Sequence, residues 1–436
     1  MKKFYQKCKA LSKPKKAVLI ILLVVLILII LHLVNTSCIQ LALRKEIKSF
    51  AKVEYENQLV PEIGEEGYYT FTTDDDIKIM QISDIHLGGG IGSYKNDSKT
   101  LYEVATMVTE EKPDLVILNG DSVFCVPTMG FNGGETFNNK MVSKTIMALF
   151  DQLGVYYSVT FGNHDTEAFD FTNREDLGKA YASEDNKYCI FQSDFDEYGV
   201  TNQCILLKNT DGTIRKAIML IDSNDYIDNS LSATINWEYD TINDLQVDWA
   251  VDTINSLSEK NGDAVKSIFF FHIPIGEYVT AYRDLEANDF EDTETTLYID
   301  GYWDELVDEE MGERIWYGGC CQTDKDPKDV DSLFEKLGPD GINSMEACFC
   351  GHDHINSATV IYRGVMLSYG YSVDNNAYTG IKYYGIQRGA TVITVKADGT
   401  FEEVHKNAYT DYHCSTDKYV DVNLTDWYYD GVAPTK

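Results

Sequence analysis

The sequence predicts an α/β layered domain carried behind one N-terminal transmembrane helix. Three observations predict it. Short apolar runs of strand length recur between residues 76 and 404 and alternate with segments of helical spacing, as in layered α/β domains. Hydrophobic residues make up 44% and charged residues 25% of the 436 residues, which is ample for a packed core and excludes a disordered, collagen-like or disulfide-scaffold chain. Near the start, Ala17–Leu31 is an unbroken apolar run that His32, Leu33 and Val34 extend. As a helix it is about 27 Å long, close to the hydrocarbon thickness of a bilayer.

The elements follow in order. Met1–Lys16 holds seven lysines and no acid, so residues 1–16 are expected as a cytoplasmic tail, 17–34 as the span and the rest outside the cytoplasm. Arg44, Lys45, Lys48 and Lys52 make the second flank basic as well. A cleaved signal peptide is the competing reading. The run is long for one, and Asn35-Thr36-Ser37-Cys38 is a poor cleavage site, which favours an uncleaved signal-anchor. Residues 35–75 are expected as a stalk, helical in part near Ile39–Tyr55, and residues 76–436 as the globular domain. Within it, strands are expected at Ile77–Ile82, Asp114–Asn119, Tyr156–Thr160, Ala217–Ile221, Ser267–Phe271 and Ala347–Cys350, and helices at Leu101–Lys112, Lys140–Leu153 and Leu245–Glu259. The end is β-rich, with Thr359–Arg363, Val365–Tyr369, Ala390–Val395 and Phe401–Val404. The acidic stretch Asp284–Glu310 reads as a surface insertion.

Charge narrows the function. The net charge is −33, yet residues 1–52 hold eleven Lys/Arg and the single acid Glu46, so the remainder is more acidic still. Such a surface repels polyanions and argues against nucleic acid as a stable partner. The ten cysteines lack zinc-ribbon spacing; disulfides and free buried thiols both remain open readings.

Five segments share one pattern: each follows an apolar strand and ends in metal-capable side chains. They are Asp84-Ile85-His86, Gly120-Asp121, Gly162-Asn163-His164-Asp165, His272 and Gly351-His352-Asp353-His354. Loops beyond strand carboxyl ends form the ligand crevice of α/β sheets, so these residues can converge. The donors are oxygen and nitrogen without thiolate, which suits Mn, Fe, Zn, Co or Ni. Their number exceeds the needs of one ion. Two ions sharing a carboxylate would use them, acidify a water between them and neutralise charge on a phosphoryl group. A lone histidine after a strand is most often structural. Five such segments in one order are a metal-site signal.

The series DxH, GD, GNHD, a lone His after a strand and GHDH resembles the calcineurin-like metallophosphoesterase superfamily. The resemblance covers about Ile77–Val404. Arg388-Gly389-Ala390 and Gln246–Trp249 resemble the branch related to purple acid phosphatases. The resemblance implies a two-sheet β-sandwich flanked by helices and two divalent or mixed-valence ions. It implies that Asp84, His86 and His354 bind the first metal, that Asp121 bridges, and that Asn163, His272 and His352 complete the second. His164 is similar to the family histidine that contacts phosphate and protonates the leaving oxygen, with Asp165 orienting it. The chain departs from purple acid phosphatases in having Phe124 where they carry a tyrosine ligand.

A membrane-anchored dinuclear phosphoesterase acting on a small phosphate ester is therefore expected, with monoesters favoured. The alternatives are a phosphodiesterase on nucleotides, cyclic nucleotides or lipid and wall phosphodiesters and, more remotely, a non-catalytic binding protein on the same fold. His405 and His413, outside the motif order, read as structural. Asp222-Ser223-Asn224 reads as a turn.

Overall fold

The computed structural model describes residues 12–125, 134–193, 199–227, 238–301, 333–354, 356–376 and 388–414, with the backbone of 307–308 and 313–314. Two mixed β-sheets pack face to face with helices on their outer sides. The smaller sheet has five strands in the order Phe401–Asn407, Gly389–Val395, Ile77–Ile82, Leu115–Asn119, Tyr157–Thr160; the last three are parallel. The larger has nine, in the order Glu62–Ile63, Tyr69–Thr72, Gln203–Lys208, Ile214–Leu220, Ser267–Phe270, Met345–Cys350, Val365–Tyr369, Thr359–Tyr362, Thr296–Asp300. Its centre, from Ile214–Leu220 through Val365–Tyr369, is parallel.

Strand periodicity explains the layering. In Ile77–Ile82, Ile77 and Ile79 face the other sheet, where they meet Ile218, Leu220, Ile268, Phe270 and Phe349. Met80 and Ile82 face outward, among Leu101, Val104, Ile146 and Phe150 of helices Tyr94–Glu111 and Asn139–Leu153. The outer face of the larger sheet is covered by Asp244–Asn261 and Gly276–Glu286 through Val247, Ile254, Tyr278 and Tyr282. A strand buried on both faces is near-continuously apolar, which is why residues 115–118 and 268–270 are uninterrupted apolar runs.

Several expectations shift. Helix Lys13–Ile47 is continuous, so the segment expected as a stalk starts as an extension of the apolar helix. Its last turns lie against the domain: Leu43 and Ile47 are buried, Arg44 Nη2 donates to the carbonyl of Met141 at 2.9 Å, and Glu46 accepts from Tyr94 and Ser98. The ordered domain begins ahead of Asp76, because Tyr69–Thr72 pairs with Gln203–Lys208 at the sheet edge. The acidic stretch expected as an insertion supplies in Thr296–Asp300 the other edge strand. Among the described residues, Cys38, Cys125, Cys189, Cys204, Cys348, Cys350 and Cys414 are free thiols; Cys8, Cys320 and Cys321 lie outside the described residues.

Candidate dinuclear metal centre

The carboxyl ends of the inner strands of both sheets meet at one place. Buried polar side chains fasten them: Gln81 Nε2 donates to the carbonyl of Cys350 at 2.9 Å, and Asn119 Nδ2 to those of Phe271 at 3.1 Å and Phe349 at 3.2 Å. Each of these strands then turns sharply. Asp84, His86, Asp121 and His352 all have positive φ, between 48° and 72°, which re-aims their side chains inward just past the strand end. Gly120 and Gly162 allow close approach. A Cβ at Gly120 would strike the His272 ring, and one at Gly162 would strike the carboxylate of Asp121.

Two donor groups result. Asp84, His86 and His354 form one and Asp121, His272 and His352 the other, with the ligand atoms of each group within 4.8 Å of one another. Asp121 Oδ2 lies 3.0 Å from His272 Nε2 and 3.3 Å from His86 Nε2, so it touches both groups. Asp84 Oδ1 lies 3.2 Å from His354 Nε2 and 3.8 Å from His86 Nε2. Asn163 sits beside them, since the next residue, His164, donates its N–H to Asp121 Oδ1 at 2.7 Å. These donors and His164 are all at most 7% exposed. The expected residues thus come from five loops to one cluster.

Other side chains point the donors. His272 Nδ1 faces the carbonyl of Asn119 at 3.0 Å, leaving Nε2 to the cluster. His354 Nδ1 faces Asp374 at 3.3 Å and Ser372 Oγ at 3.3 Å. Asn163 Nδ2 donates to Tyr226 Oη at 3.1 Å, which turns Oδ1 inward. Asp374 and Tyr226 carry no motif and were not selected from the sequence. Outer partners of this kind fix tautomer and ring orientation in metal sites.

The donor set fits cations. Asn163 Oδ1 and His352 Nε2 are buried and make no hydrogen bond, an arrangement that costs free energy unless something electrophilic fills it. Electrostatics agree. Burial alone would raise the Asp84 and Asp121 carboxyls, yet the surrounding histidines hold both well below the ordinary range. Burial opposes charge on His86 and His272, but hydrogen bonding and charge from Asp121 push them up to about 10 and about 9. His352 is pulled well below its usual value by burial and by His272. The cluster is thus a nest of anions that holds positive charge, whether protons or metal.

His164 lies at the edge. Its Nδ1 is 2.5 Å from Glu167 Oε1. Its ring packs at 4.1 Å from Phe124, the residue at the tyrosine-ligand position, which also meets His86 edge-on at 5.5 Å. Asp165, expected to orient His164, is directed to the backbone: its carboxylate accepts from Val123 N–H at 3.2 Å and Gly162 N–H at 2.8 Å. Burial, and then the charge of Asp121, push Asp165 up to about 6. The reason is local. Asp165 closes the turn that begins at Gly162, while Glu167, three residues past His164 in a non-helical turn, reaches the ring.

Buried oxygen and nitrogen donors in two adjoining groups, set at the ends of two packed mixed sheets, are the donor set of a metal-dependent hydrolase. The family model for calcineurin-like phosphoesterase matches residues 77–356, and the chain belongs to that family. It is a hydrolase acting on phosphate esters. Among solved structures the chain is similar to a dimetal phosphatase from Danio rerio, at 12% identity with a TM-score of 0.40, covering 76% of this chain and 99% of that one. No curated protein matches the chain.

Proposed function

We propose that the protein is a phosphomonoesterase with Asp84, His86 and His354 around one ion, Asn163, His272 and His352 around the other, and Asp121 between them. Two bound divalent cations would supply an acidified water and neutralise charge developing on the phosphoryl oxygens. The chain's own residues do the rest. Their burial excludes bulk water from the phosphoryl group. His164, held through Nδ1 by Glu167, offers a proton from Nε2 to the departing oxygen. Phe124 closes the space beside it and keeps the ring from swinging.

The observation that carries the monoester preference is the burial of His164, 1% exposed, among equally buried donors. A small terminal phosphoryl group enters such a site more readily than a diester extending both ways. The test is turnover of p-nitrophenyl phosphate against its bis ester, with Mn returned to chelated protein. Faster monoester hydrolysis is expected. Faster diester hydrolysis would replace the proposal with a phosphodiesterase.

The same reading places residues 1–16 in the cytoplasm and the catalytic domain outside. It is supported by the lysines ahead of an apolar helix that is long enough to cross a membrane. Protease added to intact cells should degrade the domain. Full protection would reverse the orientation.

A further inference from the structure

The apolar helix and the metal cluster are joined by short, packed connections. Helix Lys13–Ile47 runs unbroken from its exposed apolar part into the part docked on the domain. Gln40 lies six residues past Val34, about 9 Å along the axis. Its Nε2 donates to the carbonyl of Gly89 at 3.4 Å, and Gly89 is three residues from His86, at most roughly 11 Å of chain. A second connection starts at His164. The loop leaving it reaches Phe171, whose N–H donates to the carbonyl of Phe137 at 2.7 Å with the two rings stacked at 6.0 Å. Phe137 in turn lies 5.9 Å from the ring of His32, inside the apolar run. On this loop Phe169 and Phe171 are each 59% exposed, and Ile91, two residues past Gly89, is 70% exposed. The cluster is therefore flanked by apolar side chains that continue the surface of the spanning helix.

We propose that Ile91, Phe169 and Phe171 enter the bilayer interface and that the substrate is a phosphate ester carried on a membrane lipid. The proposal rests on the phosphoesterase activity of the site and on the helix crossing the membrane. The bilayer is the occupant of the patch because the patch is continuous with a helix surface that itself requires lipid. Phenylalanine is also a side chain suited to the boundary between headgroups and acyl chains. A lipid phosphate holds its ester at that boundary, level with the rim, where a soluble ester gains nothing from exposed phenylalanines. The reaction is a hydrolysis. Water oxygen forms the new bond to phosphorus, the bond from phosphorus to the lipid oxygen breaks, and that oxygen takes a proton, giving a lipid alcohol and phosphate.

The test uses the full chain in phosphatidylcholine vesicles with Mn. Phosphatidic acid and a polyprenyl phosphate in the bilayer are compared with p-nitrophenyl phosphate in solution. The double variant F169E/F171E should lose roughly tenfold or more of the lipid-phosphate turnover, since that is what burying such side chains contributes, and keep p-nitrophenyl phosphate turnover. Independently, emission added by F171W should be quenched by phosphatidylcholine brominated in its acyl chains. Hydrolysis of p-nitrophenyl phosphate without either lipid phosphate would overturn the proposal, as would equal effects of the double variant on both substrate types or absence of quenching. Failure of the premises reads differently. Wild-type protein inactive on every substrate would remove the phosphoesterase activity, and release from vesicles by alkaline carbonate would remove the membrane span; either outcome also overturns the proposal.

Discussion

Asp84, His86, Asp121 and His352 adopt the left-handed backbone region, at a cost of about 1 kcal/mol or more each. Asp and His tolerate it better than β-branched residues, and the surrounding strands leave no other path. Asp121 belongs to one donor group and also reaches His86 of the other at 3.3 Å. D121N should reduce metal content and cut turnover on the order of 100-fold or more, because the shared carboxylate loses its charge; elemental analysis alongside kinetics checks it. H164A should lower kcat by roughly 100-fold to 10,000-fold, the usual range for a lost general acid. E167Q should lower kcat by about tenfold, and adding it to H164A should cost little further, because the close partner of Glu167 is that ring and its bond from Tyr226 Oη is long at 3.5 Å. The donors were legible because each ends a strand in a motif. Glu167, Asp374 and Tyr226 were not, because a partner that only orients another side chain need satisfy geometry and not spacing.

At the scale of elements, the two sheets converge because buried amides tie their carboxyl ends. Replacing Asn119 with Leu keeps the volume and leaves the carbonyl of Phe271 without its donor, while that of Phe349 keeps the Phe271 N–H at 3.1 Å. N119L should cost about 1–3 kcal/mol in urea unfolding of the metal-free protein, the range for one orphaned buried group, and should weaken Mn binding by calorimetry. The strands that carry the motifs were readable as apolar runs. Gln203–Lys208 was not, although it is buried, because its short run has no chemistry at its end to mark it. Helix Tyr94–Glu111 starts before the expected Leu101. Its first turns are polar yet buried, and Asp97 accepts from the N–H groups of Gly88 and Gly89, binding the helix to the loop after His86. Gly88 and Gly89, just past His86, are thus held in place.

Over the whole molecule, the ionised cluster couples metal to stability. Asp84 and Asp121 have depressed carboxyls, so their contribution is present above about pH 4 and is lost as pH falls. His86 and His272 are raised, so theirs is complete below about pH 6.5 and is lost as pH rises through about 10 and about 9. These four groups contribute most between about pH 4 and 6.5, and His352, held below its usual value, opposes them as pH falls below about 6.5, so the metal-free protein should be most stable toward the upper end of that window. Bound cations replace those protons, so the gap in Tm between metal-loaded and chelated protein should widen from pH 6.5 to 10, measurable by calorimetry. The docked end of helix Lys13–Ile47 belongs to this scale too, since it fixes how far the centre sits from the apolar span.

The sequence by itself determined the layered α/β class and the apolar helix and marked the candidate donors, because strand periodicity and motif order are local properties of the chain. Only the tertiary structure decided that helix Lys13–Ile47 continues past its apolar part to dock on the domain and that Glu167 and not Asp165 meets the His164 ring. Those outcomes depend on side chains far apart in sequence competing for one buried space, and hydrogen-bond geometry, which no spacing rule encodes, selects among them.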